Sequence, residues 1–512
     1  MSLRFILPTV LAALLSACGQ GAQVRPPDIA AAPDVGWTHY GGDAGGLRYS
    51  PANQVNLANV DRLKLAWTYS TGEMKAHPRA IRRSAFEATP ILADGRLYFC
   101  TPFNRIIALD PATGQHLWTF DPHIDDQKRY PNDFVCRGVA FWRDPIAPIR
   151  APCASRIFTA TNDRRLFALD AATGQVCPGF GRNGAVDAMP GAKLQSVDDA
   201  QITSAPVVSE GVVIVGSSID DNQRVRETAG TVHGFDARTG SLKWSYDPLQ
   251  AAGRGITAGS ANVWAPMSVD EALGLVFLPT SSPSPDFYGA ARPGANAHAN
   301  SVVALRAGTG QVAWAFQTTH HDVWDYDVPA QPTLAEVSWK GQPRPAVIQV
   351  TKQGLIFTLD RETGRPVIPV EERPVPQGGE IGETLSPTQP FPVAPAPLAP
   401  NRIRPEDAFG ITKGEREACR KSIVSARNEG LYTPPSVGGT IVHPFTGGGA
   451  NWGGMAYDPK VGVAFINTSS LVHLVTLIPQ ERLEAERRAN PDVEISPQAG
   501  APFGMRRAVL RS

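Results

Sequence analysis

Ile107-Ala108-Leu109-Asp110-Pro111-Ala112-Thr113-Gly114 returns as Phe167-Ala168-Leu169-Asp170-Ala171-Ala172-Thr173-Gly174 and again as His233-Gly234-Phe235-Asp236-Ala237-Arg238-Thr239-Gly240, with weaker copies at 303–310 and 357–364. In each copy a short alternating strand ends at Asp or its substitute, and Thr-Gly closes a tight turn into the next strand, which is hairpin chemistry. A tryptophan follows the turn glycine by four residues at Trp118, Trp244 and Trp314, where a large flat side chain can pack between neighbouring sheets. The copies lie 54 to 70 residues apart, more than a minimal four-stranded blade needs, so inserted loops are expected on one face. The pattern predicts an all-β propeller.

The rest of the composition agrees. Among 512 residues there are 48 Gly and 46 Pro, too much punctuation for long helices, while 42% hydrophobic residues leave ample core. Basic and acidic side chains number 48 each, so net charge is zero and nucleic acid is not an expected partner. A second internal echo links Asn262-Val263-Trp264-Ala265-Pro266-Met267 with Asn451-Trp452-Gly453-Gly454-Met455; each runs on to a strand ending in Thr-Ser-Ser. Between them, residues 366–405 hold eleven prolines and are expected as a surface excursion without central strands. Residues 479–489 read as a short solvated helix opened by Pro479.

The N-terminus carries Arg4, an apolar run over 5–15 and then Leu15-Ser16-Ala17-Cys18. This has the form of an export signal with a lipid-accepting cysteine. Residues 1–17 are therefore expected as a lipoprotein signal peptide, 18–36 as a flexible tether and 37–512 as the propeller domain. The expected place is the periplasmic side of a bacterial membrane, anchored through Cys18. Five further cysteines, Cys100, Cys136, Cys153, Cys177 and Cys419, lack zinc-type spacing. Cys153 and Cys177 flank a strand-turn pattern and are the candidate bridge.

The Ala-Leu-Asp-x-x-Thr-Gly-x-x-x-Trp repeat, the opening Trp37-Thr38-His39-Tyr40-Gly41-Gly42-Asp43 with Arg48-Tyr49-Ser50-Pro51, and His320-His321-Asp322-Val323-Trp324-Asp325-Tyr326-Asp327 resemble the dehydrogenases that use pyrroloquinoline quinone (PQQ). The membrane-type glucose dehydrogenases and their relatives are the nearest branch. The resemblance runs from about Trp37 to Arg507 and implies an eight-bladed propeller with PQQ and calcium on its axis. Family members continue past the equivalent of Gly504-Met505-Arg506-Arg507, so this chain is expected to be C-terminally truncated, lacking on the order of two or three blades and carrying an open edge.

The resemblance also implies roles. Asp325 is the expected base for the substrate hydroxyl proton and touches the metal; Lys352, in Thr351-Lys352-Gln353-Gly354, is expected to hydrogen-bond the reactive quinone carbonyl. Calcium wants hard oxygen ligands; Asp221 in Asp220-Asp221-Asn222 matches a metal position, and Ser284 falls near a second where the branch has threonine. Trp264 matches the residue that stacks on the quinone, Arg137 and Thr203 match contacts to its carboxylates, and Glu87 and Asn451 are further contacts. Asp133 stands where the glucose-oxidising branch has histidine, which argues against glucose, and Pro131-Asn132 replace the vicinal cysteines of the alcohol-oxidising branch. Adjacent His320 and His321 point to opposite faces of a strand and are not expected to share a metal.

The expected activity is thus PQQ-dependent oxidation of a sugar, polyol or related alcohol, with electrons leaving to a quinone-type or cytochrome acceptor at the membrane. Two other readings share the repeat: a truncated, inactive relative, and a non-catalytic propeller lipoprotein scaffold. The Asp325 and Lys352 pair argues against the scaffold.

Overall fold

A computed structural model of the chain describes residues 36–196, 198–251 and 258–510. The expected signal peptide, Cys18 and nearly all of the tether lie outside the described residues. Each repeat closes a hairpin, as in Ile106–Leu109 with His116–Phe120, Val232–Asp236 with Leu242–Tyr246, and Ser301–Arg306 with Val312–Gln317. The repeat aspartate makes the turn: Asp110 Oδ1 accepts from the Thr113 N–H at 2.8 Å and from its hydroxyl at 2.8 Å. Asp170, Asp236 and Asp360 repeat the arrangement. Such a side chain mimics a backbone turn.

The turn glycines are also docking sites. Trp118 donates its Nε1–H to Ala171 O, Trp244 to Ala307 O and Trp314 to Arg361 O, each in the following repeat. Each indole lies on that repeat's glycine: a Cβ on Gly310 would stand 2.6 Å from Cδ2 of Trp244, and one on Gly364 2.5 Å from Cδ2 of Trp314. The sequence pattern is therefore a sheet-to-sheet clasp. The second copy has Pro178 where the tryptophan would fall, and Phe180 and Val186 cover Gly240 instead. Trp67, outside the recognised repeat, plays the same part on Gly114 and donates to Pro111 O. It lines an apolar groove of about 570 Å³ with Tyr69, Phe86, Leu97 and Phe99.

Four four-stranded antiparallel sheets and one three-stranded sheet follow in order. They open on Ile91–Ala93, Ala140–Arg143, Val207–Ser209, Ser268–Asp270 and Thr333–Trp339. From Ala140–Arg143 onward, each opening strand contacts that of the next sheet, and Thr333–Trp339 contacts Met455–Asp458 of a further hairpin. Opening strands that meet side by side place the sheets radially about an axis, the arrangement of a β-propeller. A last sheet orders Thr440–Val442, His473–Pro479, Phe503–Val509 and Glu494–Ser496, and brings Arg507 toward that axis. The N-terminal segment crosses several of these sheets. Trp37 O, Ala44 O, Gly45 O and Leu47 O accept from the N–H groups of Leu92, Val269, Leu334 and Tyr457.

Two disulfides close this frame. Cys153–Cys177 is the bridge expected from sequence; Cys100–Cys136 joins two cysteines that spacing did not pair, and Cys419 is free and buried. Within the proline-rich stretch Val370–Pro374 and Thr388–Pro392 pair as a two-stranded ribbon. Only those two strands make up its sheet, so proline costs no ladder in the core. Leu483–Ala489 is helical, preceded by a 3-10 turn at Gln480–Arg482 that Pro479 caps. No helix among the described residues is long and apolar enough to cross a membrane.

Candidate functional site

The stretch from Asp322 to Asp327 is an irregular loop whose alternation decides which side chains face the axis. Trp324 and Tyr326 are buried and anchored outward, Trp324 Nε1–H donating to Thr433 O at 2.8 Å and the Tyr326 hydroxyl to Pro444 O at 3.0 Å. Asp322 holds the loop from within by accepting from the N–H groups of Trp324 and Tyr326. The intervening Asp325 and Asp327 are left to face the axial cavity. Asp325 has φ of 61°, a left-handed conformation that a non-glycine residue adopts at some cost and that clusters at functional sites.

Lys352 follows the strand Gln342–Val350, in a turn closed by Gly354 N–H to Thr351 O. Glycines 448 and 449 lie against its backbone; a Cβ on Gly448 would stand 2.9 Å from Lys352 Cα. Its Nζ donates to Asp325 O at 2.9 Å, Asp325 Oδ1 at 2.7 Å and Asp327 Oδ2 at 3.1 Å. Arg507 Nη1 takes the other oxygen of Asp325 at 2.8 Å while its Nη2 pairs with Glu494. Asp221, exposed toward the cavity, and buried Asp286 complete a group of four carboxylates facing two cations. Desolvation by the surrounding cavity wall, then the charges of Asp327 and Asp325, push Asp221 well above the usual carboxylate range. Asp286 rises through burial and then Asp221. Burial lifts Asp325 to about 6 against the pull of Lys352. Lys352 is held above its ordinary value, because Asp325 and Asp327 outweigh the burial that would lower it. Two cations cannot balance four acids, so the ammonium stays charged and the carboxylates bear the misfit.

The opposite end is cationic and aromatic. Arg137 pairs with Glu87 at 3.0 Å, and its guanidinium lies 5.3 Å from the ring centres of both Trp264 and Trp452. Burial lowers its pKa, with Glu87 opposing. Arg137 Nε is buried without a hydrogen-bond partner among the described residues. Thr203 is tied in by accepting at its carbonyl from the Arg137 N–H. Trp264 Nε1–H donates to Asp327 Oδ2 at 3.0 Å, joining the two ends.

Arg137, Thr203, Asp221, Trp264, Asp325, Lys352 and Asn451 thus line one cavity of about 250 Å³. Glu87 reaches it only through Arg137. Ser284 does not line it: its hydroxyl donates to Val225 O and accepts from the Gly259 N–H, so the serine is spent on backbone. Asp286, two residues on, joins the acidic group instead and exchanges two hydrogen bonds with Asn222. Asp133 does not line the cavity, whereas its neighbour Asn132 does. His320 and His321 diverge, His320 toward Glu372 and His321 toward Glu383, both remote from the acids. The sequence reading missed Asp327, Trp452, Asn132, Asp286 and Arg507. The Asp-x-Asp spacing signalled the first and the Asn-Trp echo the second; no local signal marked the rest.

The residues fit the groups the resemblance implies. Indoles and a buried arginine with an unused N–H suit a flat polyanion such as PQQ. Excess carboxylate suits a hard divalent cation. No three acidic, His or Cys side chains among the described residues already close on one point, so an ion would recruit Asp221 and Asp325 together with amide or backbone oxygens. A second cavity of about 550 Å³ shares Asn132, Asp221 and Asp325 and is walled by Arg129, Asp220, Gln223, Arg487, Glu494 and Arg507.

Comparison with known proteins agrees with this geometry. Residues 37–512 match the family described as "PQQ: Glucose/ethanol/alcohol dehydrogenase, beta-propeller domain". The quinoprotein glucose dehydrogenase of Escherichia coli (strain K12) is 36% identical over 93% of this chain and 62% of its own length. The glycerol dehydrogenase large subunit of Gluconobacter oxydans (strain 621H) is 38% identical over 87% of this chain and 61% of its own length. The chain therefore spans somewhat over three-fifths of these relatives. The solved quinohemoprotein alcohol dehydrogenase from Comamonas testosteroni superposes with a TM-score of 0.64 at 24% identity, over 93% of this chain and 63% of that one, which supports the fold alone.

Proposed function

Because this chain belongs to the PQQ glucose/ethanol/alcohol dehydrogenase β-propeller family, we propose that it oxidises a sugar, polyol or related alcohol to the carbonyl compound. Bound PQQ would supply the two-electron acceptor, and a calcium-class cation the Lewis acidity that sharpens it. Convergence of Asp221, Asp325 and Lys352 with Arg137 and Trp264 on one cavity carries this reading.

The chain's own residues then have distinct tasks. Asp325, a carboxylate that burial makes more basic than usual, is placed to take the hydroxyl proton as general base. Lys352, kept cationic, is a preorganised donor where negative charge would develop. Trp264 and Trp452 flank the ring site, while Arg137, Thr203 and Asn451 meet its carboxylates. Asp221 and Asp325 would hold the cation, and Ser284 has no part in that. The larger polar cavity suits a substrate with many hydroxyls. The motif Leu15-Ser16-Ala17-Cys18 supports lipid attachment on the periplasmic side, close to a membrane quinone or cytochrome acceptor.

The test is to add PQQ and Ca²⁺ to the purified chain and follow dye reduction across sugars, polyols and cyclic hydroxy acids, with PQQ binding measured separately. Turnover of a hydroxyl-rich substrate is expected. PQQ retention without turnover of any substrate would favour an inactive relative, and no retention would defeat the proposal.

A further inference from the structure

The opening motif around Tyr40 and Arg48 has no role in the site as described, yet it lies against it. The Tyr40 ring packs on Gly138, next to Arg137; a Cβ there would stand 3.5 Å from Tyr40 Cδ2. Arg48 covers that ring at 4.8 Å, and its Nε is 3.8 Å from where a Cβ of Gly454 would be. Gly454 closes the turn on Asn451 O, so Arg48 sits beside the turn that presents Asn451 and Trp452 to the cavity. The segment is pinned. Besides its carbonyl bonds to four other elements, Gly41 and Gly46 press on Gln331 so closely that a Cβ on Gly46 would stand 2.7 Å from its Cδ.

Three buried polar atoms of this region lack a partner among the described residues: Tyr40 Oη, Arg48 Nη2 and Arg137 Nε. Tyr40 is only 5% exposed. Leaving such groups unpaired is costly, so their persistence calls for an occupant. The two cations lining the cavity are Arg137 and Lys352; Arg137 is shared with Glu87 and Lys352 is committed to two aspartates. A quinone bearing three carboxylates needs more positive charge than that.

We propose that Tyr40 and Arg48 complete the anion-binding end of the cofactor site, donating from Tyr40 Oη and Arg48 Nη2 to a carboxylate of the bound quinone. This rests on the PQQ reading above and extends it to the N-terminal segment. Arg48 and Tyr40 are binding residues here, remote from Asp325 and from the proton it takes.

The experiment is PQQ binding to the Ca²⁺-loaded full chain, followed by tryptophan fluorescence quenching and repeated with PQQ trimethyl ester. Charge-assisted hydrogen bonds are strong, so Arg48→Met should weaken PQQ binding by roughly tenfold to a hundredfold, Tyr40→Phe by roughly three- to tenfold, and Arg48→Lys less than Arg48→Met. With the ester, variants and wild type should bind alike, because the carboxylate is gone. Equal loss for acid and ester would mean Arg48 acts through structure, and unchanged PQQ affinity would mean a trapped water satisfies these atoms; either overturns the inference and leaves the proposed function standing. A wild-type chain that binds no PQQ would remove both.

Discussion

Removing the Lys352 ammonium tests the charge balance of the site most directly. Lys352→Met keeps the stem's volume but deletes three hydrogen bonds, to Asp325 O, Asp325 Oδ1 and Asp327 Oδ2. Asp221, Asp286, Asp325 and Asp327 then face Arg507 alone. Breaking a buried ion pair by deleting one partner costs about 3–5 kcal/mol. With about 2.1 cal/mol/K of unfolding entropy per residue, 1 kcal/mol corresponds to roughly 1 °C for this 512-residue chain. The melting temperature of the cofactor-free protein should therefore fall by about 3–5 °C at pH 7.5. The loss should depend on pH, and its sign follows from Asp325. Its folded pKa is already raised to about 6 and rises further without Lys352, so the folded state binds protons that the unfolded chain does not. Stability then falls as pH rises through that range and is regained on acidification, at about 1.4 kcal/mol per pH unit for one proton. At pH 5.5 most of the deficit should be gone, and at pH 7.5 millimolar Ca²⁺ should shrink it. Scanning calorimetry or dye-monitored melting at both pH values decides the matter. A loss under 1 °C, or one equal at both pH values, would refute a shortage of positive charge at this site.

Asp325→Asn should lower kcat by about 10²–10⁴ while leaving PQQ affinity within a few-fold, and a variant with normal turnover would remove Asp325 as base. Gly310→Ala places a methyl 2.6 Å from Trp244 at φ of 72° and should cost about 2–5 kcal/mol by urea unfolding, whereas Gly341→Ala, at φ of 76° with open space around it, should cost only about 1–2 kcal/mol; equal losses would mean the tryptophan clasp contributes nothing. Replacing Cys100 and Cys136 together by serine opens a loop of sequence separation 36 and should cost about 3–4 kcal/mol on the chain-entropy account, read as a lower unfolding midpoint without reducing agent and a smaller further shift on reduction, which then acts on Cys153–Cys177.

The propeller was legible because its evidence is local. Asp110, Thr113 and Gly114 build a turn out of their own atoms, so the same residues at the same spacing announce the same hairpin wherever they recur. Trp118, Trp244 and Trp314 stood out for the same reason, and Cys153 with Cys177 followed from a nearby strand-turn pattern. Trp67 escaped because no Asp-x-x-Thr-Gly precedes it, although its indole grips Gly114 as the others grip their glycines. The resemblance points to Ser284, but its hydroxyl is occupied by Val225 and Gly259.

By itself, then, the sequence determined the hairpin repeat and the radial class of fold, since each depends on groups a few residues apart, while the loop carrying Asp325 is marked by the family resemblance. Tertiary structure alone decided which charges meet. Arg507 reaches Asp325 across 182 residues, Asp286 rather than Ser284 joins the acids, and Tyr40 and Arg48 come to rest beside Arg137. Electrostatic balance at a buried site depends on distance in space and on exclusion of water, and neither is encoded by neighbours along a chain.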